Sequence, residues 1–304
     1  MTPALITLDW GTSSLRAYLM AADGTVLDRR ASGQGIMALG GATFPGVLAA
    51  VAGGWAHAHG PLPVLLSGMV GSRQGWVEAR YAPCPAGLAD LAAALVDVPD
   101  APPGFGRVAV VPGVLKDEEA APDVIRGEEV EVLGALSRLR LSDGLFVLPG
   151  THSKWVRVRE GAIATFSTYM TGEVFAALKG HTILGRMMGD GGFSPDGFRR
   201  GVEAAAGLTG GAGALLGRLF SIRALGLTGR LAEADSADFL SGLLIGAELM
   251  DATRGHEPFT LVANPALTER YEVAATRLGL PQARAPDGCG PAGQFAVAQA
   301  AGFI

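Results

Sequence analysis

The stretch LITLDWGTSSLRAYLMAADGTVL, Leu5 to Leu27, decides how the rest of the chain reads. Leu5 to Leu8 form an apolar run of the kind a buried strand shows. Gly11-Thr12-Ser13-Ser14 is turn chemistry. Leu15, Ala17 and Leu19 then alternate with Arg16 and Tyr18, as in a strand with one buried face. Asp23-Gly24 is a strong hairpin signal, because glycine tolerates the positive φ of tight β-turns. The local order is strand, Gly-Thr-Ser turn, strand, Asp-Gly turn, strand.

The same grammar returns in LFVLPGTHSKWVRVREGAIATF, Leu145 to Phe166. Gly150-Thr151-His152-Ser153 corresponds to Gly11-Thr12-Ser13-Ser14 at an offset of 139 residues, and Glu160-Gly161 to Asp23-Gly24 at 137. Two unrelated hairpins would also show such a match. Two homologous halves fit the length as well, since 304 residues correspond to about two domains of ~100–200 residues each. Around the hairpins, pattern predicts helices at 44–57, 88–95 and 127–139 and strands at 64–67, 108–111 and 145–148. The later part predicts helices near 172–179, 194–206, 213–225, 236–252 and 267–278, a strand at 259–263 and a last helix at 291–301. Alternating strands and helices imply an α/β fold with mixed sheets.

Composition narrows the function classes. Apolar residues make up 49% and charged residues 17%, enough to bury a core and too little charge for general disorder. The net charge is −5 and no basic block occurs, so neither nucleic acid nor an anionic membrane surface is the expected partner. The longest apolar run, Phe239 to Leu249, is short of a membrane span and carries Glu248. No secretory leader is expected. The two cysteines, Cys84 and Cys289, lie in no paired or metal-ligand spacing, which points to free thiols in the cytoplasm. Gly is high at 45 residues, about twice its usual ~7% share. Codon usage accounts for part of it, since Arg also outnumbers Lys 21 to three.

Several residues could carry chemistry. A Gly-Thr-Ser turn gathers backbone N–H groups at one point, which suits phosphate oxygens, although an ordinary hairpin turn looks the same. Asp9, ending a strand before the first turn, is a candidate Mg2+ ligand through water or a turn Asp bonding its own backbone. Arg126-Gly127-Glu128-Glu129 opens a helix. Its acids either offset the helix dipole or supply Glu128, with Glu129 as alternate, as general base for an attacking hydroxyl. Lys154, one of three lysines, is placed to meet a phosphate or a carboxylate. Gly68, Met69, Gly71, Ser72 and Arg73 follow a buried strand, where ligands bind in open α/β sheets; a plain connecting turn is the alternative. There is no P-loop, no Gly-x-Ser-x-Gly elbow, no Gly-x-Gly-x-x-Gly after the first strand and no zinc spacing among the five His.

Taken in order, Leu8 to Arg16, Gly127-Glu128-Glu129 and Gly150-Thr151 resemble the sugar kinase, heat-shock protein and actin superfamily. In more detail, LDWGTSSLRAYL (8–19), GMVGSRQGW (68–76), YAPCPAGL (81–88), VIRGEEVEVLGA (124–135), LPGTHSKWV (148–156), TYMTGEVFAAL (168–178), FLSGLLIGAEL (239–249) and LVANPALTERY (261–271) resemble the 2-dehydro-3-deoxygalactonokinase family. The resemblance implies an α/β protein of two ribonuclease-H-like domains, the actin-like ATPase fold, with a cleft between them. It implies a carbohydrate kinase using ATP and Mg2+ to phosphorylate the 6-hydroxyl of 2-dehydro-3-deoxy-D-galactonate in galactonate catabolism. Kinases of another aldonic or keto-deoxy acid, and a non-catalytic ATP or sugar sensor, are the alternatives.

In that frame Asp9 holds the metal, Glu128 is the base (a Glu where the related kinases carry Asp) and Lys154 balances charge. Gly11, Thr12, Ser13, Ser14, Gly150, Thr151, His152 and Ser153 cradle phosphates. Ala263 and Asn264 stand where many relatives have a Gly-Gly adenosine loop. Gly68, Met69, Gly71, Ser72, Arg73 and Arg126 face the sugar acid, whose carboxylate calls for cations. The expected layout is an N-terminal domain at 1–126 with the sugar-acid site, a connecting helix at 127–140, a nucleotide domain at 141–290 and a terminal helix at 291–304 returning towards the domain interface. The partner is a small sugar acid rather than nucleic acid or membrane, and a homodimer is compatible with the reading.

Overall fold

The computed structural model describes residues 1–189, 191–208, 212–253 and 257–304. The chain forms two compact units: Met1–Asp143 with Val156–Phe166 and Ala285–Ile304, and Gly144–Trp155 with Ser167–Arg284.

The first unit opens with β1 (Pro3–Trp10), β2 (Leu15–Ala21) and β3 (Val26–Ser32), an antiparallel meander folded at the Gly11–Ser14 and Asp23-Gly24 turns. Gly24 takes φ 85°, which is why the turn wants glycine. Helix α1 (Phe44–His59) is capped by Thr43, whose Oγ1 accepts from the Gly46 N–H, and carries Pro45 in its first turn. Strand β4 (Val64–Ser67) pairs parallel with β1, setting Asp9 beside Ser67. Then follow β5 (Ala82–Pro83), α2 (Leu88–Ala93), β6 (Val96–Asp97), β7 (Val108–Val110), β8 (Val114–Lys116), β9 (Asp123–Ile125) and α3 (Glu128–Leu139). The main sheet runs β3-β2-β1-β4-β7-β6, and β5-β8-β9 form a small second sheet. Ile6, Leu8 and Trp10 of β1 pack with Leu48 and Trp55 of α1 and Val64 and Leu66 of β4 in one core.

The later elements are β10 (Gly144–Leu148), β11 (Ser153–Arg159), β12 (Ala162–Tyr169), α4 (Thr171–His181), α5 (Pro195–Ala206), α6 (Ala212–Leu227), α7 (Glu233–Ala252), β13 (Phe259–Leu261), α8 (Pro265–Leu278), β14 (Gln282–Arg284) and α9 (Cys289–Ala300). Their sheet runs β12-β11-β10-β13-β14, with β10, β13 and β14 parallel. With the antiparallel edge strand β6 of the first sheet left out of the count, each sheet has the chain order third, second, first, fourth, fifth. This shared order is the ribonuclease-H-like topology, and it answers the repeat seen in the sequence.

Part of the glycine excess has a packing role. A Cβ on Gly134 of α3 would lie 1.8 Å from the Cys289 carbonyl oxygen, and one on Gly293 of α9 would lie 1.9 Å from that of Val130. The two helices cross in the first unit at a distance only glycine permits. Helix ends differ from the predicted ones by a few residues, as frayed ends do. The strands β5, β6, β8, β9 and β14 are two or three residues long, too short for a period to show.

Candidate active site

In the first unit three segments converge on the end of β1. Asp9 Oδ2 accepts from Arg16 Nη1 across the β1–β2 ladder at 3.2 Å. Gly68 follows β4 with φ 90°, and a Cβ there would lie 2.9 Å from the Trp10 carbonyl oxygen and 3.3 Å from Asp9 Oδ1. Gly127, at φ 108°, would bring a Cβ within 3.3 Å of the Gly68 Cα. The end of β1, the turn after β4 and the start of α3 therefore meet, and Asp9, Gly68 and Gly127-Glu128 are brought together.

The acids at the head of α3 divide by burial. Glu128 Oε2 accepts from the Arg126 N–H at 2.9 Å and the residue is half-buried; Glu129 Oε2 accepts from the Gly127 N–H at 2.6 Å and the residue is fully buried. Burial first, then the neighbouring Glu128 charge, pushes the Glu129 carboxyl up to about 8. Glu131, one turn beyond Glu128, is raised to about 7 by burial, then by Asp9 and Glu128, with Arg16 opposing. Burial also raises Asp9 against the pull of Arg16. A carboxyl raised by neighbouring carboxylates, as Glu131 is by Asp9 and Glu128, favours a cation beside it. Among the described residues no group of three metal-ligating side chains gathers. A cation at Asp9 and Glu131 would thus need oxygens from its ligand or from water, which is the usual habit of Mg2+.

The first turn turns its carbonyls inward. Gly11 and Thr12 carbonyl oxygens accept from the Ile36 and Met37 N–H groups, both at 3.0 Å, and the Gly11 N–H donates to the Ser14 carbonyl. Thr12, Ser13 and Ser14 are exposed. Gly71 packs on Arg126: a Cβ there would lie 2.9 Å from Nη1. Arg126 donates through Nη2 to the Ala79 carbonyl at 2.8 Å and lies over the Tyr81 ring at 4.4 Å. Its Nε and Nη1, and the hydroxyl of Ser72, are shielded from water and have no partner among the described residues. Met69 is part of the short turn between them. Arg73 differs, being 82% exposed and 3.6 Å from Glu78.

In the second unit the turn Gly150–Ser153 is braced by the start of α4. A Cβ on Gly172 would lie 2.5 Å from the Gly150 carbonyl oxygen. The Glu173 N–H donates to the Thr151 carbonyl at 3.0 Å, and the Glu173 carboxylate meets His152 Nε2 at 2.6 Å. Lys154 is buried, with Nζ donating to Thr168 Oγ1 at 3.0 Å. Beside the turn opens a cavity of about 360 Å³ lined by Gly150, Gly172, Phe175, Phe193, Leu267 and Arg270, among others. Asn264 caps α8, its Oδ1 accepting from the Leu267 N–H at 3.1 Å, and the Ala263 carbonyl accepts from Thr268. Asn264 thus spends its side chain on the helix, one turn from a cavity-lining residue.

The family model described as 2-keto-3-deoxy-galactonokinase matches residues 9–297. The chain belongs to this family. A 2-dehydro-3-deoxygalactonokinase of Escherichia coli (strain K12) is 36% identical over 282 residues, 92% of this chain and 91% of that one. A probable 2-dehydro-3-deoxygalactonokinase of Rhizobium meliloti (strain 1021) is 37% identical over 280 residues, 90% and 89% of the two chains. The crystal structure of a Sinorhizobium meliloti protein, assigned provisionally to the same enzyme, superposes with a TM-score of 0.86 at 34% identity and covers 98% of each chain. No helix among the described residues is long and apolar enough to cross a membrane.

Two residues of this family member had no place among the site residues expected from the sequence. Glu131 stands three residues after Glu128 and so on the same helix face, a spacing that marks shared location; it was legible once the helix was placed. Glu248 interrupts an apolar run and is 3% exposed; its partners lie far away in sequence, so only the fold brings them together.

Proposed function

We infer that this carbohydrate kinase transfers the γ-phosphoryl group of ATP to the 6-hydroxyl of 2-dehydro-3-deoxy-D-galactonate, giving the 6-phosphate and ADP. The names of its relatives support the reaction. The observation that carries an acid substrate is Arg126, a guanidinium with two shielded nitrogens that, like the Ser72 hydroxyl, have no partner among the described residues. Shielded guanidinium nitrogens of this kind call for an anion, and the fork of Arg suits a carboxylate. We assign the sugar acid to 1–126 and the nucleotide to 141–290, with its nucleoside in the cavity beside Gly150.

The mechanism follows from residue chemistry. Half-buried Glu128, rather than fully buried Glu129, is open to a substrate hydroxyl and takes its proton as the oxygen attacks. The new O–P bond forms as the bond between the γ-phosphorus and the ADP oxygen breaks. Backbone N–H groups of Thr12–Ser14, in the turn that the Gly11 N–H closes, and of Gly150–Ser153 take phosphate oxygens. Asp9, with Glu131, would hold Mg2+; the ion would offset charge on the transferring group. Lys154 adds a fixed positive charge near the second turn. Free Cys84 and Cys289 fit work in the reducing cytoplasm.

A coupled ADP-release assay over a panel of 2-keto-3-deoxy acids tests the reading. Turnover with the galactonate-type acid, above its C4 epimer, is the expected result. Thermal stabilisation by ATP without turnover of any acid would replace the kinase with a sensor.

A further inference from the structure

Helix α7 buries Phe239, Leu240, Leu243, Leu244, Ile245 and Leu249, yet it also buries a carboxylate, Glu248. Burying a carboxylate costs several kcal/mol unless its oxygens are hydrogen-bonded. Here they are. Oε1 accepts from Ser153 Oγ at 2.7 Å and Trp155 Nε1 at 2.8 Å, Oε2 accepts from Thr171 Oγ1, and Tyr271 OH lies 3.0 and 2.9 Å from the two oxygens. These donors come from β11, α4 and α8, and all are neutral. A leucine or methionine would fill the same volume at lower cost, so packing does not explain the acid.

The positions of two donors do. Ser153 is the last residue of the second Gly-Thr turn. Thr171 immediately precedes Gly172, against which Gly150 and Thr151 rest, and Glu173, which holds the Thr151 carbonyl and His152. One carboxylate thus ties the exit of the turn to the segment that braces it. We propose that Glu248 is a positioning residue, which fixes the second Gly-Thr turn in the shape that receives the nucleotide's phosphates by joining Ser153 and Thr171. This rests on the reading of that turn as a phosphate site. Glu248 touches neither substrate; it acts through the turn.

The test compares nucleotides that share a base and differ in phosphate. In Glu248→Gln the amide nitrogen cannot accept, so the Thr171 or Ser153 hydroxyl loses its acceptor while the side-chain volume stays. ADP and ATP should bind about tenfold or more weakly by calorimetry, the size of one lost hydrogen bond to a charged group. Adenosine binding and the KM for the sugar acid should stay as in the wild type. Ser153→Ala removes only the turn-side link, at a buried residue that does not line the cavity, and should give the same selective loss, which covers the case in which Glu248→Gln does not fold. Glu248→Asp, which keeps the charge, should recover part of the ATP affinity. If the folded variants melt lower but bind ADP, ATP and adenosine as the wild type does, Glu248 is a core residue only and the proposal fails. Equal weakening of adenosine and ADP would overturn it too, since the defect would then lie in the base pocket. A wild type that binds adenosine and ADP equally well would instead sink the phosphate reading of the turn.

Discussion

Replacing Arg126 with Met separates binding from stability in a way few surface arginines allow. In the absence of ligand the guanidinium bonds, among the described residues, to the Ala79 carbonyl at 2.8 Å and lies over the face of Tyr81 at 4.4 Å, while Nε and Nη1 have no partner there. Losing those contacts costs about 1.5–3 kcal/mol for the charged hydrogen bond and about 1–2 for the ring. Removing a partly unpaired charge from a shielded site returns several kcal/mol of desolvation. The balance lies near zero, so the ligand-free melting temperature should barely move. Binding behaves otherwise. Two charge-assisted hydrogen bonds to a carboxylate contribute ~1.5–3 kcal/mol each, or ~3–6 together. The KM for the keto acid should therefore rise about 10²-fold or more, with the KM for ATP unchanged. Arg126→Lys, a point charge without the fork, should recover only part of it. Steady-state kinetics with each substrate varied in turn, beside a melting curve, provide the readout. An unchanged KM for the acid, or a rise confined to ATP, would show that the orphaned nitrogens do not meet the substrate.

Three further outcomes follow from the geometry. Glu128→Gln should lower kcat by ~10²-fold or more with its fold intact, the usual scale of a lost general base, as read by the ADP-release assay and circular dichroism; near-normal turnover would move the base elsewhere. Glu129, raised from its ordinary 4.5 to about 8, keeps a proton in the folded state that the unfolded chain has lost. Its contribution to stability is whole below about pH 4.5 and is lost as pH rises towards 8. The melting temperature of Glu129→Gln relative to wild type should climb over that window, and a flat difference would refute the shift. Gly172→Ala places a Cβ 2.5 Å from the Gly150 carbonyl oxygen, so the KM for ATP should increase several-fold although alanine favours a helix by about 1 kcal/mol; unaltered ATP kinetics would mean the turn does not depend on α4.

Much of the fold could be read from the chain because its signals are local. Asp23-Gly24 and Glu160-Gly161 fold back where a positive φ is needed, and Gly24 and Gly161 adopt 85° and 77°. Thr43, Ser194 and Asn264 cap helices α1, α5 and α8 through their side-chain oxygens, an equally local signal. The site was legible where its members sit at strand or helix ends, as Asp9, Gly68 and Gly127 do. It was not legible where function depends on contacts across the sequence. Glu248 meets Ser153 and Trp155 more than ninety residues away. Arg126 looked like one cation among three; only the structure distinguishes it from exposed Arg73 and from Lys154, which rests on Thr168.

The glycine-to-backbone crossing of α3 and α9 bears on the order in which this polypeptide matures during synthesis. The first compact unit is discontinuous: it takes in Ala285–Ile304 as well as the residues made first. Every residue of the second unit has been translated before α9 emerges. Nascent domains usually fold N-terminal first, but here the unit begun first is the one finished last. Until α9 is made the groove at Gly134 is uncovered, so the proposed acid site, at the head of α3, settles only after the whole second unit has been synthesised.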